Sequence, residues 1–129
     1  MTALGGFGDE ADNAGTQRYL VKYHGGIHFW GSNVDVSTGV PYDLGKWQMI
    51  TATYNGAILR LYKNGVLLKT SVVSLSDALP QIKIGLPGPW SKAHKLNGKI
   101  AAFRVWNTDL TGDSISSLMK AMPETPPGN

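Results

Sequence analysis

At 129 residues, with 42% apolar side chains, sixteen glycines and seven prolines, the chain is long enough to bury one real core and is too apolar and turn-rich to be disordered. The absence of cysteine excludes disulfides and thiolate metal sites. The net charge of +3 comes from scattered basic residues, with Lys92, Lys95 and Lys99 the only local cluster. No basic stripe of the kind that binds nucleic acid is present, and neither nucleic acid nor membrane is expected as a partner. Met1 leads almost directly into Leu4-Gly5-Gly6-Phe7, so no basic-then-apolar secretion leader is read in this chain.

Strand signals follow one another at short, regular spacing between clusters of Gly, Asn, Asp and Pro. Strands are predicted near 2–7, 17–23, 26–31, 33–37, 46–54, 57–63, 66–73, 80–85 and 98–106. Asn55-Gly56 and Asn64-Gly65 are two-residue hairpin signals, because a type I′ turn needs positive φ at both central residues. They predict an antiparallel meander over 46–73. Alternation assigns Ile50, Ala52 and Tyr54, then Leu59 and Leu61, then Ala101, Phe103 and Val105 to the inward face. Ile84 joins this expected core. Trp47 and Trp106 are assigned to packing.

One helix is expected near the C-terminus. Thr111 is a good N-cap, Asp113 suits the positive end of the helix dipole, and Ile115, Leu118, Met119 and Met122 form one apolar stripe. So short a helix is not stable alone and must lie against the sheets. Pro123 stops it. The chain therefore divides into one domain over 1–122 and a Pro-rich tail over 123–129.

Taken in order, "GKWQMITATYNG", "LRLYKNG", "IKIG" and "LNGKIAAFRVWNTDL", followed by a short helix, resemble the laminin-G-like/concanavalin A-like jelly-roll domains. The match is closest to the bacterial LamG-like type appended to secreted enzymes and adhesins. The resemblance implies an all-β fold, an antiparallel jelly-roll β-sandwich with one short C-terminal helix, and a concave face with rim loops that vary in ligand. It implies an extracellular setting and a lectin-like module for a glycan or polysaccharide. The rival reading is a structural or adhesive module that binds protein or its own copy. Relatives have further strands ahead of those found here. An N-terminally short sandwich would leave an edge or apolar face open, and a homodimer is expected to cover it.

Glycan hydrolysis in this superfamily uses paired carboxylates on one strand, and the acidic residues here form no such pair; no Gly-x-Ser-x-Gly elbow occurs either. The chain is read as no enzyme. "GDEADNAG" offers Asp9, Asp12 and Asn13 as oxygen ligands for Ca²⁺, although a solvated hairpin tip explains the same residues; no other cofactor is expected. His24 precedes Gly25-Gly26 in an exposed turn. Ligand binding is assigned to aromatic faces with polar neighbours. In the loop 86–96, Trp90 and His94 are candidates, with Trp90 either a platform for sugar or a plug over the sandwich edge. Tyr23, His28 and Trp30, on the 19–31 hairpin, are candidates for the concave face, against simple packing of Tyr23 and Trp30.

Overall fold

A computed structural model describes residues 1–8, 15–76, 81–85 and 96–121, and these hold eight strands and one helix. The strands are β1 (Thr2–Gly8), β2 (Gln17–Tyr23), β3 (Gly26–Trp30), β4 (Val36–Pro41), β5 (Ile50–Tyr54), β6 (Ile58–Lys63), β7 (Val66–Val72) and β8 (Ile82–Ile84); α1 spans Gly112–Ala121. They form a five-stranded sheet in the order β4-β3-β2-β1-β8 and a three-stranded sheet in the order β5-β6-β7, antiparallel throughout. The fold is an antiparallel jelly-roll β-sandwich with one short helix near its C-terminus.

The two sheets meet through residues of β3 and β4, at one side of the larger sheet, and of β6, the middle strand of the smaller one. Phe29 and Val36 from the larger sheet are buried with Leu59 and Leu61 from the smaller one, and Leu20, Ala52, Tyr54, Val73 and Leu75 pack around them. The Tyr54 hydroxyl donates to the Val73 carbonyl (3.2 Å) and accepts from the Leu75 N–H (3.2 Å), which fixes the chain as it leaves β7. At the opposite end, Lys63 pairs with Asp43 (3.0 Å) and donates to the Pro41 carbonyl (3.0 Å), tying β6 to the end of β4.

The meander is present, but its two Asn-Gly turns differ. Asn64 (φ 51°) and Gly65 (φ 79°) both take positive φ in a two-residue connection between Lys63 and Val66, as a type I′ turn requires. In the first turn only Gly56 (φ 97°) does so. There the Asn55 side-chain oxygen accepts from the N–H groups of Ala57 (3.0 Å) and Ile58 (2.7 Å), so the turn opens to join Tyr54 to Leu59. An Asn that caps its own loop in this way replaces a tight turn by a longer one.

Helix α1 begins where its cap directs. The Ser114 N–H donates to Thr111 Oγ1 (3.1 Å), Ile115 is fully buried, and Ser116 Oγ donates to the Gly65 carbonyl (3.3 Å). The helix therefore docks on the β6–β7 hairpin. A Cβ at Gly65 would lie 3.2 Å from Ser116 Cα, so this glycine serves both the turn and the close approach of the helix.

Several expectations are corrected. The segment 98–106 forms no strand among the described residues: Ala102 sits at φ 56°, which breaks the extended run. Phe103, Val105 and Trp106 are consequently exposed rather than core, although the Phe103 ring rests against Gly5 of β1. Ile84 is about half exposed because β8 is an edge strand, and Ile50 is only half-buried. The strand expected at 33–37 runs instead from Val36 to Pro41, since Ser32 and Asn33 both take left-handed φ and turn the chain first. The strand expected from 46 starts at Ile50. Met122 and the 123–129 tail lie outside the described residues.

Candidate ligand-binding site

Strand pairing places one row of side chains on the face of the larger sheet opposite the Phe29–Leu61 cluster, where a second buried cluster lies. Leu20 pairs with Phe29 on the core side, so the alternate pairs Tyr19–Trp30, Val21–His28 and Tyr23–Gly26 belong to the outer face. On this face Ala3, Tyr19 and Val21 are buried, and Trp30 packs against them while its indole N–H donates to Gln17 Oε1 (2.9 Å). β4 extends the face by pairing Ser37 with His28 and Pro41 with Gly26. The Tyr42 hydroxyl donates to the Val21 carbonyl (3.1 Å), and burial raises its pKa well above the ordinary range for a phenol.

At the end of this row a groove of about 420 Å³ opens beside the β2–β3 turn. Tyr23, His24, His28, Ser37 and Pro41 line it together with three glycines, Gly25, Gly26 and Gly39. The rings follow one another: Trp30 lies 6.4 Å from His28, His28 lies 5.1 Å from Tyr23, and Tyr23 lies 4.2 Å from His24. Tyr23 keeps 40% of its surface exposed, whereas His28 keeps 7%.

His28 is the unusual member. Neither Nδ1 nor Nε2 has a hydrogen-bond partner among the described residues, although both atoms are buried. Leaving a buried polar atom unpaired costs about 1–3 kcal/mol, so such atoms call for a reason. Burial lowers the pKa of His28 below the ordinary imidazole value of 6.5, and the opposing pull of the Asp35 carboxylate is smaller. The ring is therefore neutral at pH 7, with one N–H donor and one bare nitrogen acceptor. The two atoms diverge from the ring, so one hydroxyl group can pair with one of them, as donor or as acceptor. The Tyr23 ring beside it offers an apolar face to C–H groups.

The structure thus brings Tyr23, His28 and Trp30 into one row, with Trp30 held as packing at its buried end. Trp90, His94 and the calcium candidates Asp9, Asp12 and Asn13 lie outside the described residues. Among the described residues no group of three His, Asp or Glu is placed to hold a metal ion, and no helix is long and apolar enough to cross a membrane. Ser37, within the strand expected at 33–37, was not among the expected site residues, and Gly39 and Pro41 lie past that strand. Their signal was the period-two run Val36, Thr38, Val40, which marks a strand past residue 37. A second groove, about 500 Å³, lies between Trp106 and the α1 residues Asp113, Ser114 and Ser117.

A laminin G family model, described as the Concanavalin A-like lectin/glucanases superfamily, matches residues 3–116. No curated protein matches. Among solved structures, the 2.1 Å crystal structure of an S-layer domain-containing protein (residues 221–444) from Clostridium thermocellum ATCC 27405 is similar with a TM-score of 0.52 at 20% identity. The match covers 92% of this chain and 63% of that one, and the likeness is one of fold.

Proposed function

Because the chain belongs to the Concanavalin A-like lectin/glucanases superfamily, we propose that it is a non-catalytic binding module that recognises carbohydrate in the groove at Tyr23, His28 and Ser37. The observation that carries this reading is the buried, unpartnered imidazole of His28 facing a groove beside a half-open tyrosine ring. A sugar hydroxyl would pair with one imidazole nitrogen, and the C–H face of the pyranose would cover Tyr23. Among the described residues the groove lining contains no carboxylate, and glycoside hydrolysis in its usual form needs two, which favours binding over turnover. The solved neighbour is an S-layer domain-containing protein, and an extracellular or cell-surface setting is part of the same proposal. Glycan-array binding by the protein, abolished in Tyr23→Ala, is the expected result; an array without hits removes the reading.

A second reading is self-association through the β8 edge. Ile82, Ile84, Val105 and Trp106 are each about half exposed and Phe103 about a third, and among the described residues β8 has no strand on its outer side. A symmetric homodimer pairing these edges would cover that apolar surface, and a specific one should bury at least about 1,000 Å² in total. Light scattering at micromolar concentration should give a dimer mass that Ile84→Lys lowers to the monomer; a monomeric wild type rejects it.

A further inference from the structure

Resting on the carbohydrate reading of the groove, we propose that the ligand is a neutral glycan and that acidic glycans, whether uronates or sulfated sugars, are excluded from it. The net charge of +3 taken alone points the other way, toward anionic partners. The local chemistry decides against it.

Among the described residues, no lysine or arginine lines the groove. The cation held close to its edge is Lys63, whose ammonium reaches the Pro41 carbonyl at 3.0 Å and is neutralised by Asp43 at 3.0 Å. His28 is held neutral by burial, so it offers hydrogen bonds and no charge. The charge it senses is that of Asp35, which is negative and stays in place because its Oδ1 accepts from the Gly31 N–H at 2.8 Å. Among the described residues, the other titratable groups lining the groove are Tyr23 on β2, whose ring lies beside His28, and His24 in the adjoining turn; β4 contributes Ser37, Gly39 and Pro41, which carry no charge. A carboxylate or sulfate entering here would lose its water without meeting a lysine or arginine among the described residues of the groove lining, beside an imidazole that already senses the Asp35 carboxylate. Burial of an unpaired charge is far more costly than burial of a hydroxyl that is hydrogen-bonded on arrival. The neutral imidazole of His28, the Ser37 hydroxyl and the Tyr23 face, with His24 in the turn beside them, suit an uncharged sugar residue.

Gly26 supplies a blocking variant that spares the fold. Its backbone is not left-handed, and a Cβ there meets nothing closer than the Val40 carbonyl oxygen at 3.5 Å, so a larger side chain extends from the groove lining. Binding of neutral polysaccharides (glucans, mannans, galactans) and acidic ones (polygalacturonate, alginate, heparin) is measured by affinity electrophoresis and calorimetry. Wild type, Gly26→Leu, His28→Gln and His28→Leu are compared, with circular dichroism to confirm folding. At least one neutral class should bind, with affinity falling at least tenfold in Gly26→Leu and His28→Leu and less in His28→Gln, which retains a donor and an acceptor. Its affinity should change little between low and high salt. Binding of an acidic glycan that Gly26→Leu abolishes overturns the exclusion while leaving carbohydrate recognition standing. Absence of Gly26-sensitive binding in both classes overturns the exclusion and the carbohydrate reading together.

Discussion

Replacing His28 by leucine should make the protein more stable while removing its binding activity, an inversion expected of a residue retained for its ligand. In the unliganded protein both ring nitrogens are buried and unpaired, and an unmade buried hydrogen bond costs about 1–3 kcal/mol. Leucine is close in size and removes both polar atoms. Against that gain stands the loss of ring contacts to Tyr23 and Trp30, each worth about 0.5–1.5 kcal/mol. Two unpaired atoms at about 1–3 kcal/mol each, against two ring contacts at about 0.5–1.5 kcal/mol each, leave a stabilisation centred on about 2 kcal/mol near neutral pH. The effect should also depend on pH with a definite sign. His28 in the folded chain has a pKa below 6.5, so between that lowered value and 6.5 the unfolded chain binds the extra proton. Wild-type stability is therefore fully present above 6.5 and is lost as pH falls toward the folded value, whereas the variant lacks this loss. Urea unfolding at pH 7.5 and pH 5.5 measures both effects. A His28→Leu protein less stable than wild type by 1 kcal/mol or more, or a gap that does not widen at pH 5.5, would refute the reasoning.

Other outcomes follow from packing, turns and metal. Leu61→Ala, at a fully buried site between the sheets, should cost about 2–5 kcal/mol and Phe103→Ala about 1–2 kcal/mol, because Phe103 is a third exposed; the reverse ranking would mean that the core lies elsewhere. Gly56→Ala and Gly65→Ala share a left-handed backbone cost of about 1–2 kcal/mol, and Gly65→Ala should cost about 1 kcal/mol more because its Cβ meets Ser116 of the docked helix. Equal losses in thermal melts would count against the docking of α1. If Asp9, Asp12 and Asn13 bind Ca²⁺ structurally, EDTA should lower Tm and added Ca²⁺ restore it; an unchanged melting curve with and without Ca²⁺ eliminates the site.

Much of the architecture was legible in the sequence because it depends on short-range chemistry. The Asn64-Gly65 turn, the Thr111 cap and the alternation through Leu59 and Leu61 are each set by neighbouring residues, and the structure carries all three. The failures are non-local. "KIAAFRVW" alternates like a buried strand, yet whether it pairs depends on a distant backbone, and the left-handed Ala102 interrupts it. Ile84 reads as core, but its burial depends on which strand ends the sheet. The site was half visible: Tyr23, His28 and Trp30 sit at period-two or hairpin-paired positions that a reader can align. That His28 would be buried without partners, and that Ser37 would join it from β4, depends on strand order, which a single chain does not spell out.

The most direct measurement of where carbohydrate binds is backbone and side-chain NMR of the ¹⁵N-labelled protein titrated with the strongest neutral glycan from the array. The largest shifts should fall on Tyr23–His28 and on Ser37–Pro41, and one ring nitrogen of His28 should move as it gains a hydrogen bond. Saturating glycan that instead shifts Trp106 and Asp113–Ser117 at the second groove, or leaves the His28 ring unmoved, would contradict recognition at the outer face of the five-stranded sheet.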